Sequence, residues 1–372
     1  MSTFPRTDTS LLARWWWTVD HWTLGALLLL IGGGLVLTMA ASTAVATRMG
    51  LDPFYFAQRQ FFYLPSALAV LLVTSLLSPT GVRRIAALVF VFALALTAMT
   101  LVAGVEIKGA TRWVRIGGVS LQPSEMLKVS YAVISAWIVA ESRARDHAWG
   151  FYVSAGLMAV VASVLVLQPD IGTTLLIAGI WAIQVFLAGL PLILVAIVVV
   201  LFFAGAAGAY FMFDHVRLRV DHFFDPSTGD GFQISRALDA FRSGGFFGVG
   251  PGEGQVKAYL PDAHADFIFA VAGEEFGLAA CLLIVFIFAF VVVRGFSRAL
   301  KAEDVFVVLA ATGLLSLFGM QALMNMASTT HLIPPKGITL PFISYGGSAT
   351  VAMAWAMGMV LALTRERPEG RG

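Results

Sequence analysis

Residues 260–293 read LPDAHADFIFAVAGEEFGLAACLLIVFIFAFVVV. From residue 266 the run is longer than the about 20 apolar residues that a helix needs to cross a bilayer. Yet it opens on Asp262, His264 and Asp266, and it carries Glu274 and Glu275 further in. Charged groups at or inside a bilayer are costly, and by default they mark functional sites. The stretch therefore predicts a transmembrane helix with a carboxylate at its mouth.

The rest of the chain agrees with that reading. Of its 372 residues, 59% are hydrophobic and 12% charged, against about 25% charged in an ordinary soluble domain. Apolar runs are spread over the whole length, so we read residues 1–372 as one integral membrane domain with no soluble module. The formal charge of +2, with no basic block, excludes a nucleic-acid partner. The single Cys281 excludes an intramolecular disulfide and a cysteine metal cluster.

Ten runs have the length and polarity of spans: 22–40, 60–78, 84–104, 124–140, 149–167, 171–188, 190–212, 266–293, 305–327 and 347–364. The fold class is therefore all-α and polytopic, with about ten transmembrane helices. Residues 213–265, polar and Gly-rich, form the one large extracytoplasmic loop. Residues 44–46 (AVA) after the first run have the look of a signal cleavage site. The length of that run favours a retained span instead. Ten spans put both termini on one side. The short pieces on that side, from the segment 1–21 to the tail 365–372, are dense in Arg, including Arg143, Arg145, Arg294 and Arg298. By the positive-inside rule they are cytoplasmic, which places Asp266 and the 105–123 and 213–265 loops on the outer face of the cytoplasmic membrane.

Five constellations stand out. In QPSEMLK (122–128), Pro123 and Ser124 suit a helix start, with Ser124 a candidate N-cap. Glu125 and Lys128 share a helix face. They are either a structural ion pair or the lining of a polar cavity. In QPDIGTT (168–174), Asp170 reads first as an N-cap. In the opening stretch, Asp262 and Asp266 would share a face if the helix starts early. A partly desolvated carboxylate there is suited to act as a base. Glu274 and Glu275 point about 100° apart, so at least one is expected to bind a neighbouring helix. GGFFGVGPGEG (244–254) fails the Walker pattern and reads as a compact loop whose amides could hold an anion. PPKGITLPFISYGGS (334–348) has too much Pro and Gly for a span, and irregular backbone at the membrane must be buried in protein or line a cavity. Arg59, Arg112, Arg115, Lys128 and Lys336 all fall on the outer side. They suit either a mouth for an anionic lipid head group or ordinary interfacial snorkelling.

Taken together, KGATRWVRIGGVSLQPSEMLK, QPDIGTT, GVGPGEGQVKAYLPDAHADFIFAVAGEEFG and PPKGITLPFISYGGS resemble the SEDS family (FtsW, RodA, SpoVE) over residues 105 to about 350. AHADFIFAVAGEE and PPKGITLPFISYGGS are more similar to the division branch than to the elongation branch. The chain departs from the family pattern at Ala265, where Thr is common, at Ala349, where Ser is common, and over residues 326–331.

The resemblance implies an inverting peptidoglycan glycosyltransferase acting on lipid II in the inner membrane during septal cell-wall synthesis. It implies that Asp266 is the essential aspartate, and it maps the family's conserved pair onto Glu125 and Lys128 and its QPD aspartate onto Asp170. Lys128, Glu125, Arg59, Arg112, Lys336 and Asp170 are then the candidate pyrophosphate-binding residues. A divalent cation, Mg or Mn, would sit on Asp266 and Glu125. A class B penicillin-binding protein of the FtsI type and an FtsQ–FtsL–FtsB complex are the implied partners. Two other readings suit the same features: a lipid II flippase, because broken helices and intramembrane charge also fit transport, and a scaffold that recruits the transpeptidase.

Overall fold

The computed structural model describes residues 10–366 except 108–109, 117–118, 191, 213, 215–216, 219–220, 222–230 and 335–336. Among them, twelve helices and one small sheet follow in the order α1 (Leu11–Thr18), α2 (His21–Arg48), α3 (Tyr55–Ser75), α4 (Pro79–Ala103), β1 (Val105–Ile107), β2 (Ala110–Ile116), β3 (Val119–Leu121), α5 (Pro123–Ala144), α6 (Trp149–Leu167), α7 (Ile171–Leu187), α8 (Leu192–Met212), α9 (Gly231–Gly244), α10 (Ile268–Ala299), α11 (Val305–Thr329) and α12 (Gly347–Leu363). Every apolar run read from the sequence falls on a helix. Six of these, α2, α3, α4, α6, α10 and α11, are long and apolar enough to cross a membrane, while α7 and α12 are apolar but shorter. The molecule is a multi-pass membrane protein.

Short polar residues set the helix starts. Asp20 caps α2 through the Trp22 amide, and Asp304 caps α11 through the Phe306 amide at 2.8 Å. Each carboxylate accepts from an amide that has no partner within its own helix. Ser124 is not the cap of α5. Pro123 occupies the first helical position, where its fixed φ is already helical, so Gln122 is the N-cap and Ser124 falls inside the first turn.

The core is built on α5, α11 and α12. α5 packs on α4, α11 and α6, and α12 packs along α3. Lipid offers no hydrophobic drive between helices, so amide side chains act as ties. Gln184 of α7 donates to Ala132 O of α5 at 2.6 Å and to Leu309 O of α11 at 3.1 Å.

Two segments expected to be plain loops are structured. Residues 105–107, 110–116 and 119–121 form a three-stranded antiparallel sheet in the order β1–β2–β3, with Arg115 facing Ser120 across β2 and β3. Residues 231–259, part of the segment read as the large extracytoplasmic loop, pack along the first turns of α10. Phe241 packs on Phe269, the Leu278 amide donates to Gly245 O at 2.9 Å, and the Ala279 amide donates to Phe246 O at 3.1 Å. The contact at Leu278 lies ten residues into α10, about 15 Å along the helix. It is possible because α10 breaks at Gly277, whose φ of 75° and ψ of −175° open the helix to the incoming loop. A Cβ on Gly277 would lie 2.4 Å from Gly248 N and from Phe246 O, so only glycine fits.

Glu274 and Glu275 serve this docking, and the helix they bind is the short 3-10 helix Val256–Tyr259 within the loop rather than another long helix. Glu274 accepts from the Val256 and Lys257 amides at 2.7 and 2.9 Å. Glu275 accepts from the Gly252 amide at 3.1 Å and pairs with the Lys257 ammonium. Within the Gly-rich loop 244–254 the Gly252 amide does bind an anion, but it is the chain's own Glu275 carboxylate.

Candidate functional site

Asp266 lies in a turn, two residues before α10 begins. The Ala265 amide donates to Asp262 O at 2.9 Å, and Asp262 has a φ of 51°. Asp262 and Asp266 are therefore not a helical pair, since the helix starts after both. They still line one cleft of about 560 Å³.

In that cleft the candidate residues come from five separate stretches of chain. Arg59 comes from α3, Arg112 from β2, Glu125 and Lys128 from α5, Asp170 from the head of α7, and Asp266 from the turn before α10. Tyr63, Trp113, Gln122, Tyr345 and Ser348 complete much of the wall. Lys336 lies outside the described residues. Its neighbour Gly337, at a φ of 63°, is on the wall, where a Cβ would stand 3.6 Å from Asp266 Oδ2. Arg115 is not on the wall. Successive strand residues alternate faces, so Arg112 and Arg115, three apart on β2, point opposite ways.

The charged residues form two groups. In the first, Lys128 Nζ lies 2.7 Å from Glu125 Oε2 and donates to Gln321 Oε1 at 2.8 Å. An ammonium carries three N–H donors, so these two acceptors leave one for a ligand in the cleft. In the second, Arg112 donates through Nε to Gln168 O at 3.3 Å and lies 3.4 Å from Asp170 Oδ1. Asp170 also caps α7, accepting from the Thr173 amide at 3.2 Å. Its structural reading therefore holds in the geometry, and the carboxylate also orients Arg112 at the rim.

Arg59 forms the opposite rim. Its guanidinium stands 4.7 Å from the centre of the Tyr55 ring, and the nearby Tyr345 hydroxyl favours its charged form. Burial pushes the Tyr345 hydroxyl up to about 12, so it stays a neutral partner at working pH.

Residues 337–348 supply the floor. Leu340, Phe342 and Ile343 are buried. Ser344 Oγ donates to Ala265 O at 2.7 Å, and the Tyr345 amide donates to His264 O at 2.9 Å. Non-helical backbone at this depth is tolerated because protein surrounds it. The Asp266 turn is thus pinned from below by backbone bonds.

Among the described residues, no three His, Cys, Asp or Glu groups come together as a metal cage, and the Glu125 carboxylate is already on Lys128. A larger cleft of about 790 Å³ lies near the other end of α5, lined by Arg83, Glu141, Arg143, His147, Asp304 and their neighbours. It holds none of the candidate residues, so its size alone does not make it the reactive site.

Sequence reasoning missed Gln321 and Asn325. Their signal was present: two amides four apart in an otherwise apolar span, QALMN (321–325), each too costly to bury without a partner.

With this geometry established, known proteins can be set beside it. The family described as "Cell cycle protein" (FTSW_RODA_SPOVE) matches residues 21–369. A "Probable peptidoglycan glycosyltransferase FtsW" of Caulobacter vibrioides (strain NA1000 / CB15N) is 44% identical over 370 residues, covering 99% of this chain and 95% of the relative. A protein of the same description from Geobacter metallireducens is 36% identical over 341 residues, covering 88% and 90%. Among solved structures, a chain from "Structural coordination of polymerization and crosslinking by a peptidoglycan synthase complex" aligns with a TM-score of 0.77 at 26% identity, covering 93% of this chain and 97% of that one. Thermus thermophilus rod shape determining protein RodA aligns with a TM-score of 0.71 at 26% identity, covering 94% and 97%.

Proposed function

The chain belongs to the FtsW/RodA/SpoVE family, and from that premise we propose that it is a peptidoglycan glycosyltransferase that polymerises lipid II at the outer face of the cytoplasmic membrane, in septal synthesis. The observation that carries the reading is one cleft holding Asp266, Lys128 and Glu125, with Arg59 and Arg112 at its rims.

The chemistry follows from the substrate. The donor sugar is α-linked to a lipid pyrophosphate, and the product bond is β-1,4, so one in-line displacement inverts C1. The acceptor 4-oxygen forms a bond to C1 as the bond from C1 to the pyrophosphate oxygen breaks. The hydroxyl proton passes to Asp266, and the pyrophosphate leaves with the electron pair. A positioned base contributes about 10²–10⁴-fold. The remaining N–H of Lys128 offsets charge on the leaving pyrophosphate in a poorly solvated cleft, where such a contact is worth most. Glu125 holds Lys128 at 2.7 Å. Arg59 and Arg112 bring two further cations to the rims. Among the described residues, no three His, Cys, Asp or Glu side chains gather as a cage for Mg or Mn, and no step here is routed through a metal.

The likeness to a chain of a peptidoglycan synthase complex supports a class B penicillin-binding protein as partner. An FtsQ–FtsL–FtsB complex at the division septum, and cytoplasmic termini, complete the reading. The test is polymerisation of lipid II by the purified protein with its transpeptidase partner in detergent. Detergent offers no two compartments, so glycan chains there support the enzyme. Flipping in vesicles without polymer would favour transport.

A further inference from the structure

We propose that Gln321 is a positioning residue of the reaction, an amide locked in one orientation that holds Lys128 for its ligand; this rests on the glycosyltransferase reading above. Gln321 is 1% exposed and sits on α11, facing the buried side of Lys128. Both ends of its amide are used. Oε1 accepts from Lys128 Nζ at 2.8 Å, while Nε2 donates to Thr339 O at 3.0 Å and lies 3.3 Å from Thr339 Oγ1. A flipped amide would set N–H against ammonium and oxygen against carbonyl, so only one orientation is stable.

One helical turn on, Asn325 ties down the other half of the site through its Nδ2 alone. Its Nδ2 donates to Asp266 O at 2.9 Å and to Ile338 O at 2.7 Å. Two amides on one helix face thus bind two adjacent residues of the 334–348 segment. Through them, the residue carrying the base and the residue carrying the cation are tied to a single rigid element. Neutrality matters as well. Lys128 faces one carboxylate, Glu125, and one uncharged amide. A second carboxylate would leave the cluster with net negative charge and repel a phosphate ligand.

Gln321→Glu separates these effects, because a protonated Glu reproduces the amide: its carbonyl accepts from Lys128 and its hydroxyl donates to Thr339 O. Among the described residues, the charged group bonded to Gln321 is Lys128 of α5, which is itself paired with Glu125, and Asp266 before α10 lines the same cleft as Lys128. Asp170 stands at the head of α7, and α12 brings none.

The experiment compares initial rates of lipid II polymerisation by the protein with its transpeptidase partner, for wild type, Gln321→Glu and Gln321→Leu, from pH 5 to pH 8.5. Each variant is checked for monodispersity and thermal unfolding. At pH 7.5, Gln321→Glu is expected to lose at least about tenfold in rate, the worth of a hydrogen bond to a charged group, and to recover relative to wild type as pH falls. Gln321→Leu is expected to lose as much with no recovery. A folded Gln321→Glu whose profile parallels wild type at every pH overturns the proposal, as does a folded Gln321→Leu with full activity. If Gln321→Leu does not fold, the Gln321→Glu profile decides alone. Polymer from wild type with unaffected variants fails this inference only, whereas no polymer from wild type fails the functional reading beneath it.

Discussion

Lys128 and Glu125 meet at 2.7 Å on one face of α5, with the lysine side chain 2% exposed. Neither charge is tolerable there alone. Removing one partner of a buried pair leaves an unpaired charge and costs about 3–5 kcal/mol, whereas replacing both is often near neutral. Lys128→Met is therefore expected to lower the thermal unfolding temperature and abolish polymerisation. The double variant Glu125→Gln/Lys128→Met should regain most of the stability and none of the activity. Unfolding in detergent and product gels, run in parallel, separate the two roles.

The docked loop depends on the break at Gly277. Alanine there would meet backbone atoms at 2.4 Å and would have to adopt a φ of 75°. Gly277→Ala is expected to destabilise the protein by about 1–3 kcal/mol and to expose residues 245–259 to limited proteolysis. Unchanged protease resistance would show that the loop does not need the break.

Lys257 is the buried counter-ion of Glu275 and also donates to Ala40 O at 2.9 Å, linking the loop to α2. Lys257→Met should cost about 3–5 kcal/mol, because it strands a buried carboxylate. Lys257→Met/Glu275→Gln should cost much less. Thermal shift of the two variants measures the difference.

Asp20 gives a pH signature away from the cleft. It takes a two-point hold from Arg294, at 2.7 Å to Nε and 2.8 Å to Nη2. Burial, the largest single influence, would raise its carboxyl, but the Arg294 bonds, the Thr23 hydroxyl and the Arg298 charge together hold it below the usual 3.8. A depressed carboxyl stabilises the fold above the unfolded value and loses that contribution as pH falls through the lower, folded value. The stability gap between wild type and Arg294→Gln should therefore be constant from pH 7 to about pH 5 and close as pH drops through and below 3.8. A gap that widens in acid would contradict this.

Much of this molecule is written in local sequence. The apolar runs mark the helices because a bilayer permits little else, and Asp266, Glu125, Lys128, Arg59, Arg112 and Asp170 all line the cleft, while Arg115 does not. Three features are less local. The sheet at residues 105–121 has β-branched strands separated by Lys108-Gly109 and Gly117-Gly118, a hairpin signature that the reading as a basic loop passed over. The break in α10 is invisible in its composition, because Gly277 matters only through the loop that docks on it. The roles of Glu274, Glu275 and Gln321 are set by partners 17 to 193 residues away in sequence, which no periodicity reveals.

The most direct measurement is lipid II polymerisation by the purified protein with its transpeptidase partner, wild type against Asp266→Asn. The substitution preserves shape and removes the base. Glycan chains from wild type and none from a folded, monodisperse Asp266→Asn are the expected result. Equal polymer from both would contradict the role of Asp266 as the base.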